Sequence, residues 1–205
     1  MHELAAVQAD IRSCTSCFPD GGNRPVAYGP AEAKAMVIGQ APSLTDAQTG
    51  RAFSGPGGRR LRDWFQRAGL QDEDVYLSAL TKCYPGPSRN GKGDRTPSRR
   101  EISSCRQHLL RELSILQPRI ILLVGGMAIR EFLGAGPLAG FVGGSFDACR
   151  VDPFSSALTH AASARIVPLP HCSGASLWLN DTDHRELLDR ALAHVAELLT
   201  DADHE

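Results

Sequence analysis

Six cysteines are the side chains of this chain best suited to bind a metal. Cys14 and Cys17 form a C-x2-C pair, and Cys83 and Cys105 follow much later in the sequence. Four thiolates can surround either a zinc ion or an iron–sulfur cluster. The spacing does not choose between these two, and unrelated buried thiols are a third explanation. Disulfides are not expected in a reducing compartment.

A glycine-rich loop follows the first apolar run. Ala35–Ile38 predicts a buried strand, and the sequence GQAPS at 39–43 comes directly after it. The segment GRAFSGPGG at 50–58 then leads into a helical pattern. Backbone N–H groups of such a loop can approach a phosphate or a flat ring closely. The spacing of a Walker motif or a dinucleotide fingerprint is absent from the sequence.

The composition is ordinary for one globular domain, with 42% apolar and 22% charged residues among 205. We therefore expect a single domain over 1–205, with an N-terminal arm over 1–30 and a tail over 200–205. No stretch approaches ~20 consecutive apolar residues, and no signal-peptide pattern opens the chain. We expect a monomeric cytoplasmic protein without a membrane span.

Charge gives a local indication of nucleic-acid binding. The net charge of −1 provides no global electrostatic argument for it. Basic residues are concentrated between 89 and 106, and a solvated loop is the alternative explanation. The basic side chains there are Arg89, Lys92, Arg95, Arg99, Arg100 and Arg106, against Asp94 and Glu101.

Strand and helix patterns alternate along the chain. Ser98 with Glu101 predicts a capping box at the start of a helix, and 139–147 is interpreted as a bent hairpin. The alternation predicts a three-layer α/β/α sandwich with a mainly parallel central sheet. The predicted strands are Ala35–Ile38, Val75–Leu80, Ile120–Val124 and Arg165–Leu169, and the predicted helices are Leu4–Arg12, Arg60–Ala68, Ser98–Gln117, Gly126–Phe132 and Asp183–Leu199.

Taken in order, these segments resemble the uracil-DNA glycosylase superfamily and, within it, the iron–sulfur (family 4-like) branch. That family has Gly-Glu-Ala-Pro-Gly after its first strand, which is similar to 39–43. It has Gly-Arg-Pro-Phe-x-Gly, similar to 50–55, and a Lys-Cys pair, similar to 82–83. Its Asn-Arg-x-Pro is similar to 94–97, and its late His-Pro-Ser-Gly to 171–174.

The resemblance implies a cofactor and a set of roles. Cys14, Cys17, Cys83 and Cys105 would bind a [4Fe–4S] cluster, whereas the other two cysteines, at 149 and 172, would not. The catalytic roles are a hydrogen bond from His171 to the leaving base, a carboxylate at Asp46 and water positioning at Gln40. Substrate binding would use stacking by Phe53 and contacts at Gly39, Ala41, Ala79 and Ser173. The DNA backbone would be contacted by Ser173, Gly174, Arg95, Arg99 and Arg100.

The chemistry of base removal agrees with these roles. A base inside a duplex has to be flipped into a pocket. Cleavage of the N-glycosidic bond builds negative charge on the base and positive charge on the sugar. A hydrogen-bond donor stabilises the former and a carboxylate stabilises the latter or orients water. An aromatic ring such as that of Phe53 contributes ~1–3 kcal/mol of stacking per base.

Several positions depart from the family pattern, and two of them keep the functional hypotheses open. Gln40 replaces the usual Glu, and Ala79 replaces the Asn that reads the base edge. The first hypothesis is a monofunctional DNA glycosylase that excises uracil or another deaminated base. The second is a weakly active or inactive module that binds damaged or single-stranded DNA. A third is a cluster- or zinc-stabilised protein with no role on DNA.

Overall fold

The chain folds as alternating strands and helices. The computed structural model describes residues 2–18, 25–89, 93–174 and 176–202. Within these ranges the helices are α1 (His2–Arg12), α2 (Leu44–Thr49), α3 (Pro56–Arg67), α4 (Arg99–Leu116), α5 (Gly126–Leu133), α6 (Phe154–Ala157) and α7 (Thr182–Ala202). The strands are β1 (Ala35–Gly39), β2 (Val75–Ala79), β3 (Ile120–Val124), β4 (Phe146–Asp147) and β5 (Arg165–Leu169).

These strands form one sheet in the order β2-β1-β3-β5-β4. β1 pairs in parallel with β2 and β3, β3 pairs in parallel with β5, and the short β4 is antiparallel to β5. β1, β2 and β3 are buried along their whole length, as expected for parallel strands covered on both faces. The prediction of a mainly parallel sheet is confirmed.

Helices cover both faces of the sheet. The chain moves from β1 to β2 on one side and then across to β3 on the other. Right-handed crossovers therefore place α3 and α4 on opposite faces. α1 and α6 contact α4, whereas α3 contacts α7, which gives the predicted three-layer sandwich. The direction of winding changes at β1, and ligands of such sheets bind beyond the carboxyl ends of the strands at this point.

Capping residues explain where element boundaries differ from the predictions. α3 begins at Pro56 rather than at residue 60, because proline suits the first helical turn. The pattern did not predict α2, which begins after Ser43, where Ser43 and Asp46 form a capping box. The interpretation of 139–147 as a hairpin is wrong, since its two extended residues pair with β5. The predicted tail begins inside α7, and 203–205 lie outside the described residues.

The N-terminal arm is attached to the α/β body. Ile11 of α1 packs with Ala27 in a small apolar cluster. The Val26 N–H donates a hydrogen bond to the Lys82 carbonyl oxygen at 2.7 Å. Residues 19–24 of the arm lie outside the described part of the chain. Among the described helices, none combines the length and apolar character needed to cross a membrane.

Candidate active site

The loops that carry the predicted site residues meet at the carboxyl edge of the sheet. Thr81, just beyond β2, donates its backbone N–H to the carbonyl of Gln40, just beyond β1, at 3.4 Å. Gly125, just beyond β3, has a φ of 90°, and a Cβ there would lie 3.0 Å from the ring of His171. The glycine therefore leaves the space that the histidine ring occupies beside β3.

Phe53 stands over the end of β1 with a strained backbone. Its φ is 51°, a conformation that a bulky residue rarely adopts. A Cβ added to Gly39 would lie 2.9 Å from Cζ of Phe53, so the ring packs directly on the glycine backbone. The Phe53 carbonyl accepts a hydrogen bond from the Arg62 guanidinium at 3.1 Å. A Cβ on Gly58 would lie 1.6 Å from that carbonyl oxygen, which explains why glycine occupies position 58.

Asp46 is buried, and its carboxylate oxygens are engaged within the two motif loops. Oδ2 accepts a hydrogen bond from the Ser43 N–H at 2.9 Å. Oδ1 accepts from the Ser54 N–H at 2.7 Å and from the Ser54 hydroxyl at 2.8 Å. Asp46 thus fixes the position of Ser54 and, through it, of the neighbouring Phe53. Its predicted contact with the sugar or with water stays a prediction.

A small cavity, the base cavity, lies beneath Phe53. Its volume of ≈ 30 Å³ is enough for one or two water molecules. This volume is smaller than the space that a nucleobase occupies. Among the predicted site residues, Ala41, Asp46, Phe53 and Ala79 are in its wall, whereas Gly39, Gln40 and His171 are not. The wall comprises Val26, Ala41, Pro42, Asp46, Ala52, Phe53, Leu77, Ser78, Ala79 and Thr81.

The protonation state of His171 follows from its surroundings. His171 is exposed as a residue, yet neighbouring protein atoms desolvate its ring, and this desolvation lowers the pKa of His171 below its usual value. Nδ1 accepts a hydrogen bond from the Ser173 N–H at 3.1 Å. A neutral imidazole whose Nδ1 accepts carries its proton on Nε2. His171 is therefore a neutral ring with an Nε2–H donor.

A second cleft, the arginine cleft, borders the loop after β5. It has a volume of ≈ 540 Å³ and lies between α3, α7 and that loop, with Arg60, Arg67 and Arg185 in its wall. Arg60 donates a hydrogen bond to the Ser173 carbonyl at 3.0 Å, and Arg67 pairs with Asp189 at 2.5 Å. Its three guanidinium groups against one carboxylate give the cleft excess positive charge, which suits a polyanion.

Within the predicted basic segment between 89 and 106, Arg95 is engaged in an ion pair inside the protein. Arg95 binds Glu101 through two hydrogen bonds of 2.9 and 2.5 Å. This contact with Arg95 lowers the pKa of Glu101 to about 2. Arg99 and Arg100 are exposed in the first turn of α4. Residues 90–92, which include the lysine of the predicted basic segment, lie outside the described residues.

The four cysteines of the predicted cluster come together from three segments of the chain. Burial and the neighbouring Cys105 thiol raise the pKa of the Cys17 thiol, and the Lys82 N–H donates a hydrogen bond to Cys105 Sγ at 3.5 Å. Burial raises the pKa of the Cys83 thiol to about 12, with further contributions from the neighbouring thiols, that of Cys14 included. Among the described residues, no three side chains of His, Cys, Asp or Glu lie close enough together to hold one metal ion.

The donor set nevertheless fits a group that binds four thiolates. A cation or cluster would offset the electrostatic cost that burial and mutual repulsion impose on the ionised sulfurs. The other two cysteines are placed differently. Cys149 is exposed, and Cys172 is buried under Gly57, where burial raises the pKa of its thiol to about 11.

Comparison with known proteins decides the family. The model of the Uracil DNA glycosylase superfamily matches residues 26–196 of this chain. The chain belongs to this superfamily. The match confirms the recognition that the sequence motifs suggested.

Individual relatives are more distant. The chain is 30% identical over 139 residues to the type-4 uracil-DNA glycosylase of Pyrobaculum aerophilum. The aligned segment covers 65% of each protein. It is 30% identical over 132 residues to the type-4 uracil-DNA glycosylase of Thermotoga maritima, covering 63% of this chain and 66% of that protein. The chain thus spans slightly less than two thirds of the length of these curated relatives.

Sequence reasoning missed a buried ionic network behind the base cavity of this superfamily member. Lys82 Nζ lies 2.6 Å from Glu112 Oε2, and the two side chains are 2% and 1% exposed. Ser78 donates to the same carboxylate at 2.8 Å and Tyr76 at 2.9 Å. Lys82 also donates to Ser78 Oγ at 2.5 Å. A glutamate among the leucines of the apolar face of α4 was the signal available in the sequence.

Proposed function

We propose that this superfamily member is a DNA glycosylase that removes uracil or another deaminated base from DNA in base-excision repair. The observation that carries the proposal is the hydrogen bonding of the His171 ring, which fixes the position of its proton. Its Nδ1 is occupied by Ser173, so its Nε2 proton is available to a departing base. The curated relatives are named uracil-DNA glycosylases, which supports the same substrate class.

In the proposed reaction, the C–N bond between sugar and base breaks, and its electron pair goes to the base. The His171 Nε2–H donates a hydrogen bond to the resulting base anion and keeps its proton, as a neutral donor does at an oxyanion site. Water then adds its oxygen to the sugar, and its proton goes to the base. Asp46 and Gln40 are the groups we assign to the cationic sugar and to the attacking water.

Substrate entry requires the base cavity to open. We propose that Phe53 moves from its strained position over Gly39 and stacks on the flipped base. Asp46 holds Ser54, the residue directly after Phe53, so the movement is mainly a rotation of the Phe53 side chain. Closure of the ring over the base would also exclude water from the bond that breaks.

The DNA strand would extend from the cavity along surfaces of positive charge. Ser173 and Gly174 connect the His171 segment to the arginine cleft, where Arg60 already contacts the Ser173 carbonyl. Exposed Arg99 at the start of α4 supplies a second contact with phosphates. Such contacts add affinity without selecting sequence. We further propose that the protein acts as a monomer in the cytoplasm.

We also propose that Cys14, Cys17, Cys83 and Cys105 hold a [4Fe–4S] cluster. The bound cluster supplies a cross-link between the arm, the segment after β2 and α4. Broad visible absorption with acid-labile sulfide in protein purified without oxygen would support it. A colourless protein with one zinc ion would contradict it.

Single-turnover cleavage of a uracil-containing oligonucleotide tests the function. His171→Ala should cost about a hundredfold or more, as loss of one oxyanion donor does. Asp46→Asn should cost about tenfold to a hundredfold, and Phe53→Ala should also weaken binding. His194→Ala, in a half-buried histidine on α7, is the matched control and should cleave like the wild type. No cleavage of uracil, hypoxanthine or xanthine by the wild type would favour a DNA-binding module without turnover.

A further inference from the structure

Three polar side chains are in the wall of the base cavity, and the structure engages two of them. They belong to Asp46, Ser78 and Thr81. Both oxygens of Asp46 accept hydrogen bonds from the motif loops. Ser78 Oγ donates to Glu112 and accepts from Lys82.

Thr81 differs from the other two. Its side chain is 3% exposed, and its Oγ1 has no hydrogen-bond partner among the described residues. A buried hydroxyl without a partner is costly, so native proteins rarely keep one without a use for it. The Thr81 N–H contacts the Gln40 carbonyl, which holds the residue beside the first motif loop.

The side chain of Ala79, two residues before Thr81, offers no polar group to a base. Ala79 is in the same wall and offers a methyl group where the family pattern has the amide that reads the base edge. The wall therefore lacks that amide, whereas Thr81, two residues later in the same wall, carries a buried hydroxyl without a partner among the described residues. A hydroxyl can donate to a carbonyl or accept from an N–H, and it rotates to suit either.

We infer that Thr81 is the specificity-determining residue that hydrogen-bonds the polar edge of the flipped base, in place of an amide at position 79. This inference rests on the proposed function, since the ligand is the base that the site would release. A rotating hydroxyl selects less strictly than a fixed amide. The substrate class is accordingly any deaminated base that presents a carbonyl or an N–H at this edge, rather than uracil alone.

The test compares Thr81→Val, which keeps the shape but removes the hydroxyl, with Thr81→Ser, which keeps the hydroxyl. Thr81→Val should lower the single-turnover rate on a uracil oligonucleotide about tenfold. Thr81→Ser should stay within about threefold of the wild type. Because valine removes an unpaired buried hydroxyl, the melting temperature of Thr81→Val should not fall, whereas a purely structural role would lower stability and activity together.

Each result separates this inference from the proposed function. Wild-type rates in Thr81→Val, or equal losses in Thr81→Val and Thr81→Ser, would overturn the role of Thr81 while leaving the glycosylase proposal intact. If the wild type cleaves nothing, the glycosylase proposal fails. The same proteins are then compared for affinity to oligonucleotides containing uracil or a non-polar isostere of uracil that lacks its carbonyl and N–H groups. A uracil preference lost in Thr81→Val supports the inference, and an unchanged preference refutes it. Thr81→Ala replaces the valine variant if that protein does not fold.

Discussion

Replacing Lys82 with methionine should destabilise the protein far more than removing an exposed ion pair. The Lys82 ammonium lies 2.6 Å from the Glu112 carboxylate, and both side chains are almost fully buried. Methionine fills a similar volume but leaves the carboxylate without its cation. Breaking a buried pair in this way costs ~3–5 kcal/mol, because the remaining charge is desolvated and uncompensated.

The structure narrows that range. Tyr76 and Ser78 still donate to Glu112 in the variant, so we expect a loss of about 3 kcal/mol, at the lower end. For a domain of this size that corresponds to a fall in melting temperature of roughly 6–12 °C. Urea unfolding and thermal melting, on proteins of equal metal content, would measure both quantities.

An exposed pair of similar length is the control. Arg67 and Asp189 are 2.5 Å apart, but their side chains are 49% and 61% exposed. Arg67→Met should therefore cost no more than about 1 kcal/mol. The double variant Lys82→Met with Glu112→Leu should regain much of the lost stability, because no buried charge remains. Equal losses for the two single lysine and arginine variants would refute the reasoning.

Three further predictions concern the site and its supports. Gly39→Ala places a Cβ 2.9 Å from the Phe53 ring and should slow uracil excision about tenfold to a hundredfold in single-turnover assays. Desolvation lowers the pKa of His171 from 6.5, so the rate should hold as pH falls through that value and decline only below it, in a pH–rate profile. Arg95→Gln should remove on the order of 1–2 kcal/mol at neutral pH, measured by urea unfolding. The difference in unfolding free energy between Arg95→Gln and wild type should disappear as pH falls from 4.5 towards 2. Over this range Glu101 becomes protonated, and Arg95 stabilises only its ionised carboxylate.

Each of these predictions has a clear contrary result. Wild-type excision by Gly39→Ala would mean that the ring of Phe53 is not held in place by contact with β1. A rate that declines already above pH 6.5 would mean that the pKa of His171 is not lowered by its surroundings. A constant difference between Arg95→Gln and wild type from neutral to acidic pH would remove Glu101 from the acid sensitivity of the fold.

Much of the fold was predictable because its signals are local. The apolar runs at Ile120–Val124 and Arg165–Leu169 are strands with the predicted bounds. Ser98 caps α4 through the predicted box with Glu101. Burial of parallel strands on both faces leaves continuous apolar runs, and helix caps need particular residues three positions apart. The order of the short motifs was likewise sufficient to recognise the superfamily.

The sequence by itself therefore determined the sheet, the family and the set of candidate residues, whereas tertiary contacts decided what each polar group does. Asp46 is occupied by Ser54, eight residues away, and Lys82 by Glu112, thirty residues away. Thr81 is left without a partner in the base cavity among the described residues. A residue's type states which hydrogen bonds and charges it can offer. Which of them are satisfied depends on groups that folding brings from distant segments, and these leave no periodic or local mark in the sequence.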